Sequence, residues 1–147
     1  MIEETTNILL VEDSLEDAEF FAHAFAKVQP SGRLHLVRDG AEALEFIYCT
    51  GRHNRRVPPN RPNVIVLDLK LPKVSGLEAL RRFKQDPSTR DIPVIVLSSS
   101  QEEKDVTTSY ELGANSFLVK PMGFDDFSRC VLILSEYWLK FNKLPKH

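Results

Sequence analysis

The stretch NILLVEDSLEDAEFF, residues 7–21, decides how this chain folds. Residues 8–11 form a continuous apolar run, which indicates a strand buried on both faces, as in a parallel sheet. The run ends in two adjacent acids, Glu12 and Asp13, whose carboxylates repel each other unless something holds them. Ser14 predicts the N-cap of a helix, and Asp17 completes a capping-box-like pair with it. A strand therefore delivers two acids to a sheet edge, and a helix leaves that edge.

The rest of the chain repeats this alternation of strand and helix. Strands are predicted at 34–37, 63–67, 93–97 and 116–119, and helices at 41–48, 76–85, 101–112 and 124–142. Gly113 predicts the end of the fourth helix. Five strands alternating with five helices predict an α/β fold with a doubly wound parallel sheet. We expect one domain over 1–147, with its core at about 7–137 and an aromatic C-terminal extension at 138–147.

Composition narrows the class of protein. The chain is 42% hydrophobic and 27% charged, with a formal net charge of −2, so no global basic field favours nucleic acid. Cys49 and Cys130 match no metal-binding spacing and indicate reduced thiols. The acidic start lacks the features of a secretory signal, and no apolar run approaches the length of a membrane span. We expect a cytoplasmic protein.

The segment 49–63, between the second helix and the third strand, is longer than most loops of this kind. It contains three prolines and the arginines at positions 52, 55, 56 and 61. A solvated loop stiffened by proline and a basic contact surface for a partner both explain this composition.

Chemically active side chains follow four of the predicted strands. In an open α/β sheet, function gathers at the carboxyl ends of the strands, where strand order reverses. We therefore expect five residues to converge there: Glu12, Asp13, Asp68, Ser98 and Lys120.

Three carboxylates in one cleft need positive charge beside them. Mg²⁺, with Mn²⁺ as an alternative, takes oxygen ligands, and a lysine adds a compact cation. This mixture suits phosphoryl transfer, which depends mostly on positioning and charge neutralisation. The chain has no Walker-type glycine loop to cradle a nucleotide. The phosphoryl group is therefore expected to arrive from elsewhere and to land on an aspartate nucleophile.

At this point the sequence resembles the receiver domain of two-component response regulators. The resemblance rests on the acid pair at 12–13, DLKLPKVSG around Asp68, PVIVLSS ending near Ser98, and FLVKP containing Lys120. It covers roughly residues 7–137. It implies a flavodoxin-like (βα)5 fold with strand order 2-1-3-4-5.

The resemblance also implies a role for each site residue. Asp68 would be the phosphoacceptor, and Asp13 would bind Mg²⁺ directly, with Glu12 an indirect or weaker ligand. The backbone carbonyl of Lys70 would complete the metal ligands. Lys120 and Ser98 would contact the phosphoryl oxygens. A cis peptide bond between Lys120 and Pro121 would aim the lysine into the site.

Phe117 falls at the aromatic switch position of the family. When Ser98 moves toward the phosphoryl group, an aromatic side chain there would turn inward, so that added charge repacks one face. Simple core packing explains Phe117 equally well. Phe lacks the hydroxyl that Tyr would bring to this position.

The C-terminal helix suggests how the signal leaves the domain. Residues 124–141 carry two apolar stripes, one of which would be exposed in a monomer. We expect a homodimer through the fourth helix, fifth strand, fifth helix and tail, with no DNA-binding domain after residue 137. The predicted interface residues are Phe124, Phe127, Tyr137, Trp138 and Phe141.

The insertion and the aromatic tail narrow the resemblance further. They resemble small regulators that partner phytochrome histidine kinases of bacteria. The expected function is therefore a stand-alone phosphorelay regulator that catalyses only its own phosphorylation and dephosphorylation.

Two other classes of protein remain as alternatives. A haloacid-dehalogenase-type phosphatase also uses a strand-end aspartate with Mg²⁺, but that family needs a second acid where this chain has Lys70. A flavodoxin-like FMN carrier needs a phosphate loop where this chain has Glu12 and Asp13.

Overall fold

The computed structural model describes residues 6–56 and 61–144 and contains one five-stranded parallel sheet. The strands are β1 (Asn7–Val11), β2 (Arg33–Val37), β3 (Val64–Leu67), β4 (Val94–Ser98) and β5 (Ser116–Val119). Their order is β2-β1-β3-β4-β5, as the resemblance to receiver domains implied. Because the order reverses between β1 and β3, the carboxyl ends of these two strands flank the crevice where such sheets bind ligands.

Helices cover both faces of the sheet. They are α1 (Leu15–Val28), α2 (Gly40–Tyr48), α3 (Gly76–Gln85), α4 (Glu103–Glu111) and α5 (Phe124–Glu136). A short 3-10 helix, Gly51–His53, follows α2, and a π-helical segment, Tyr137–Phe141, follows α5. None of the described helices is both long enough and apolar enough to cross a bilayer.

The continuous apolar runs of β1, β3 and β4 are buried on both faces, so the core has two halves. On one side Leu9, Ile65 and Val96 pack against α2 and α3, where Phe83 is fully buried. On the other side, the alternating residues of the same strands pack against α1 and α5. Burial of this kind contributes roughly 25 cal/mol per Å² of apolar surface. The central strands are therefore a rigid base for the residues that follow them.

The start of α1 differs in one detail from the predicted capping box. The Ser14 hydroxyl accepts a hydrogen bond from the Asp17 backbone N–H at 3.2 Å, as expected of an N-cap. In a capping box, the side chain at position 17 would accept a hydrogen bond from the Ser14 backbone N–H, but Asp17 does not. The Ser14 N–H donates instead to Oε2 of Glu12 at 3.2 Å, because the Asp17 carboxylate is engaged elsewhere.

The last helix is shorter than predicted. The α-helix ends at Glu136, and the wider π-helical turn at Tyr137–Phe141 shifts the phase of the apolar stripe. Leu139 and Leu144 then pack on the core, whereas Phe141 is 77% exposed. A strict 3.6-residue periodicity could not anticipate this shift.

Two close contacts position the loop after β3. A Cβ atom on Gly76 would lie 2.3 Å from the backbone oxygen of Asp68, and one on Gly40 would lie 2.0 Å from the backbone oxygen of Val74. Only glycine permits approaches of this kind. The first turns of α2 and α3 are thereby packed directly against the segment that carries Asp68.

The outer edge of β5 has a side-chain partner. The Phe117 backbone N–H donates a hydrogen bond to the Tyr110 hydroxyl at 3.1 Å. Tyr110 belongs to α4 and is 50% exposed. The phenol thus covers one backbone donor of the edge strand.

Candidate functional site

Three strand ends bring the predicted acids and lysine together. Register places Val11 beside Leu67, so Glu12 and Asp68 follow neighbouring strands at the same level. Their backbones are tied into the sheet, since Glu12 N–H donates to Val37 O and Asp68 N–H to Val11 O. Lys120 follows β5, and its N–H donates to Ser98 O at 2.8 Å. The fold therefore assembles side chains that are up to 108 positions apart.

The Lys120 ammonium is the centre of this cluster. Its Nζ lies 2.6 Å from Glu12 Oε1, 2.9 Å from Asp17 Oδ2 and 3.1 Å from Asp68 Oδ2. Glu12 and Asp68 are almost completely buried, and only 10% of the Lys120 side chain is exposed. A lysine has three N–H donors, so each carboxylate receives one of them.

Burial and charge oppose each other in this cluster. Burial raises the pKa of Glu12 above its ordinary value, although the hydrogen bond and charge of Lys120 act in the opposite direction. Burial alone would lower the pKa of Lys120, but its hydrogen bonds to Glu12 and Asp17 outweigh burial and hold that pKa above the usual value. The lysine is firmly cationic, and the acids around it still exceed its charge.

The same acids fit a divalent cation. Glu12, Asp13 and Asp68 each offer a carboxylate oxygen, and these oxygens lie within 4.8 Å of one another. Among the described residues, no other group of three or more acidic, histidine or cysteine side chains has this arrangement. Hard oxygen donors favour Mg²⁺ or Mn²⁺ over softer metals. Asp13 is exposed, whereas both oxygens of Glu12 already accept hydrogen bonds, from Lys120 and from Ser14.

Asp17 was not among the predicted site residues. Its spacing three residues after Ser14 indicates the second member of a capping-box-like pair, with Ser14 as the cap. Its carboxylate turns to Lys120 instead, from the first turn of α1. No helical periodicity indicated this contact, because Asp17 and Lys120 are 103 positions apart and only the tertiary fold brings them together.

Ser98 ends the strand that lies between those preceding Asp68 and Lys120, and Lys70 follows Asp68 by two residues. Ser98 ends β4, is fully buried, and accepts a hydrogen bond at Oγ from the Ser100 N–H at 3.2 Å. The Ser100 hydroxyl in turn lies 2.5 Å from Asp105 Oδ2 in α4. Lys70 is exposed, and its N–H donates to Asp68 Oδ1 at 3.2 Å. The roles of Ser98, of the Lys70 carbonyl and of the Lys120–Pro121 peptide bond remain predictions.

Phe117 lies on β5 opposite Val96 and is half-buried against the core half that contains α2 and α3. The structure therefore places it in core contact, and its role as a switch stays a prediction. Its backbone, through Tyr110, contacts α4.

The predicted interface residues do not share one environment. Phe124, Tyr137 and Phe141 are exposed, at 47%, 52% and 77%. Phe127 is 4% exposed because α5 turns it toward the core between α1 and α5, so it cannot contribute to a surface. Trp138 is half-buried and packs against the same core half.

The arginines of the insertion have partners within the chain. Arg52 forms an ion pair with Glu45 at 2.9 Å, Arg56 stacks over the Phe46 ring, and Arg61 pairs with Asp91 at 3.0 Å. Arg55 is exposed. These contacts favour a loop fastened to its own domain over a free basic surface. Residues 57–60 of the insertion lie outside the described residues.

The site and the fold together define the class of protein. The response regulator receiver domain model matches residues 8–131, and the chain belongs to this family. This match favours the receiver-domain interpretation over the phosphatase and flavodoxin-like alternatives.

Particular relatives cover nearly the whole chain. Response regulator Rcp1 of Synechocystis is 38% identical over 94% of this chain and 92% of its own length. The probable methanogenesis regulatory protein FilR2 of Methanothrix harundinacea is also 38% identical, over 94% of this chain and 86% of its own. The crystal structure of the phosphorylated cyanobacterial phytochrome response regulator RcpA is 35% identical, with a TM-score of 0.91 over 97% of this chain and all of RcpA. Rcp1 has also been solved in an Mn²⁺-bound form, with a TM-score of 0.89 over 96% of this chain and 99% of Rcp1.

Removal of the Lys120 charge should destabilise the protein. In Lys120→Met, two buried carboxylates lose their counter-ion, and we expect the free energy of unfolding in EDTA to fall by about 3 kcal/mol. Urea denaturation measures this loss. Adding Asp68→Asn to the variant should restore roughly 1 kcal/mol, because it removes one unpaired charge.

Lys73→Met is the matched control. Lys73 pairs with Asp39 at 3.8 Å but is 66% exposed, so its loss should cost under about 0.5 kcal/mol. Equal losses in Lys73→Met and Lys120→Met would contradict the central place of Lys120.

Proposed function

We propose that this chain is a phosphorelay receiver that accepts a phosphoryl group on Asp68 from a histidine kinase. The observation that carries the proposal is the placement of the Asp68 carboxylate. It is buried, it lies 3.1 Å from a lysine ammonium, and it belongs to the only group of described acids that could hold a cation. An aspartate in this setting is a suitable nucleophile for phosphoryl transfer.

The transfer itself is a simple displacement. An oxygen of Asp68 forms a bond to phosphorus, and the bond between phosphorus and the kinase histidine nitrogen breaks. The imidazole nitrogen keeps the electron pair of the broken bond, and a proton from solvent makes the released imidazole neutral. Lys120 donates hydrogen bonds to the phosphoryl oxygens, where its charge offsets the negative charge that gathers there.

We assign the cation as Mg²⁺, held by Asp13, Asp68 and the Lys70 carbonyl. When bound, it neutralises charge on the phosphoryl oxygens. Asp13 fits the role of direct ligand because its carboxylate is exposed. Glu12 fits a weaker role because the protein already engages both of its oxygens.

We propose that the phosphorylated state is sensed by Ser98 and Phe117. The Ser98 hydroxyl would leave the Ser100 N–H and turn to the phosphoryl group. The hydrogen-bonded pair Ser100–Asp105 links that loop to α4, and the Tyr110–Phe117 contact links α4 to β5. Added phosphoryl charge would thereby alter the face formed by α4, β5 and α5.

The phosphoacceptor is tested with acetyl phosphate as the phosphoryl donor, in the presence of Mg²⁺. Acetate is the leaving group when the O–P bond of the donor breaks. We expect intact mass to rise by one phosphoryl group in the wild type, and by none in Asp68→Asn or with EDTA. Asp39→Asn is the control: Asp39 is equally buried near the same sheet edge, and asparagine preserves its N-cap of α2. Labelling that persists in Asp68→Asn would refute the assignment.

We propose a phytochrome-type histidine kinase as the partner and the cytoplasm as the location. The similarity to Rcp1 and RcpA along nearly the full length supports the partner. We expect phosphotransfer from such a kinase to be at least tenfold faster than from unrelated kinases at equal concentration. Equal rates, or a preference for a kinase of another type, would contradict this proposal.

We propose that output passes through a homodimer. Ile133 on α5 and Tyr137 just after it expose apolar surface at a cleft of about 680 Å³ that Leu118 and Leu134 also line. Asp126 and Arg129 at its border have opposite charge and could pair across a two-fold axis.

The dimer is tested by sedimentation equilibrium at micromolar concentration. We expect the wild type to be a dimer and Ile133→Asp, a charge placed in an apolar interface, to be a monomer. Leu15→Asp, equally exposed but on α1, should stay dimeric. A monomeric wild type with and without phosphorylation would overturn the proposal.

A further inference from the structure

We infer that Asp17 is a positioning residue that holds the Lys120 ammonium in place for phosphoryl transfer. The inference rests on the proposed function, since it assigns a role within the same site. Asp17 does not contact the reacting atoms. It acts through Lys120, with Oδ2 2.9 Å from the ammonium nitrogen.

The geometry separates Asp17 from the other two partners of Lys120. Glu12 and Asp68 belong to the group of carboxylates that fits a cation, and Asp17 does not. A carboxylate shared with a cation has less negative charge to offer a lysine. Asp17 is therefore the partner whose charge remains committed to Lys120 when the site is loaded.

Asp17 is itself well fixed. Its backbone N–H donates to the Ser14 hydroxyl, and Ala18 N–H donates to Ser14 O, so the first turn of α1 is closed. About two thirds of its side chain is shielded from solvent, since 31% is exposed. The lysine side chain is long and flexible, and a fixed, partly buried anchor restricts where its ammonium can go.

Phosphorylation needs this restriction. Asp68 gives up its own contact with Lys120 when it becomes an acyl phosphate, and the freed N–H turns to a phosphoryl oxygen. The bond to Asp17 lies on the side of α1 and survives this exchange. Lys120 can therefore turn to the phosphoryl oxygen without leaving the site.

The first test reads Lys120 directly, before any phosphoryl transfer. The side-chain ammonium signal of Lys120 is measured by ¹H–¹⁵N NMR in Mg²⁺-saturated protein and assigned by its loss in Lys120→Met. We expect Asp17→Asn to shift and broaden this signal and Asp17→Glu to restore it in part. Glu16→Gln, which removes an exposed acid from the same helical turn, should leave it unchanged. An unchanged signal in Asp17→Asn would overturn the inference, whatever the outcome of phosphorylation.

The second test separates positioning from cation binding. At saturating acetyl phosphate, we expect Asp17→Asn to lower the maximal phosphorylation rate about tenfold, as for loss of one charge-assisted hydrogen bond. The Mg²⁺ dissociation constant, from calorimetry, should stay within about twofold of wild type because Asp17 is outside the cation group. Glu16→Gln should match the wild type in both. A large loss of Mg²⁺ affinity in Asp17→Asn would make Asp17 part of the cation site and overturn the assignment.

The third test asks whether Asp17 acts through Lys120. In a Lys120→Met background, Asp17→Asn should produce no further loss of rate, because the two residues then form one unit. Additive losses would contradict the inference. Failure of the proposed function has a different signature, namely wild-type protein that takes up no phosphoryl group or labelling that persists in Asp68→Asn.

Discussion

The ammonium of Lys120, enclosed by three carboxylates, is the interaction on which the site depends. Glu12 and Asp68 are almost inaccessible to solvent and would repel each other strongly at close range. The lysine offsets part of that repulsion, and a bound cation would offset more. The acids remain in excess of the lysine charge, so a divalent cation held by them would lower their mutual repulsion.

The sheet holds this cluster of like-charged carboxylates in a rigid arrangement. All five parallel strands end on the same side, and four of them place a residue of the predicted site at the last paired position or within two positions of it. The glycines at 40 and 76 let α2 and α3 approach the segment around Asp68 so closely that no side chain could intervene. Packing thus fixes the backbone that carries Asp68, and hydrogen bonds from the Lys70 N–H and the Lys120 ammonium orient the carboxylate itself.

Much of this arrangement could be predicted from the sequence, and the failures are informative. The strand ends at 12, 68, 98 and 120 follow from apolar periodicity and from the parallel topology. Asp17 was missed because local pattern favoured a cap, and only tertiary structure reveals that its side chain has a partner 103 positions away. The exposed position of Phe141 depends on a π-helical turn, and the burial of Phe127 depends on packing against α1. Neither position can be predicted from a helical periodicity of 3.6 residues.

The hydrogen bond between Tyr110 and the backbone of β5 has a consequence for the outer border of the sheet. Unpaired backbone groups at such a border are a template on which a foreign strand can grow. The Tyr110 phenol covers one donor of that template from a neighbouring helix. Displacement of α4 would expose this donor again, so the position of the helix bears on whether another strand can pair with the border of β5.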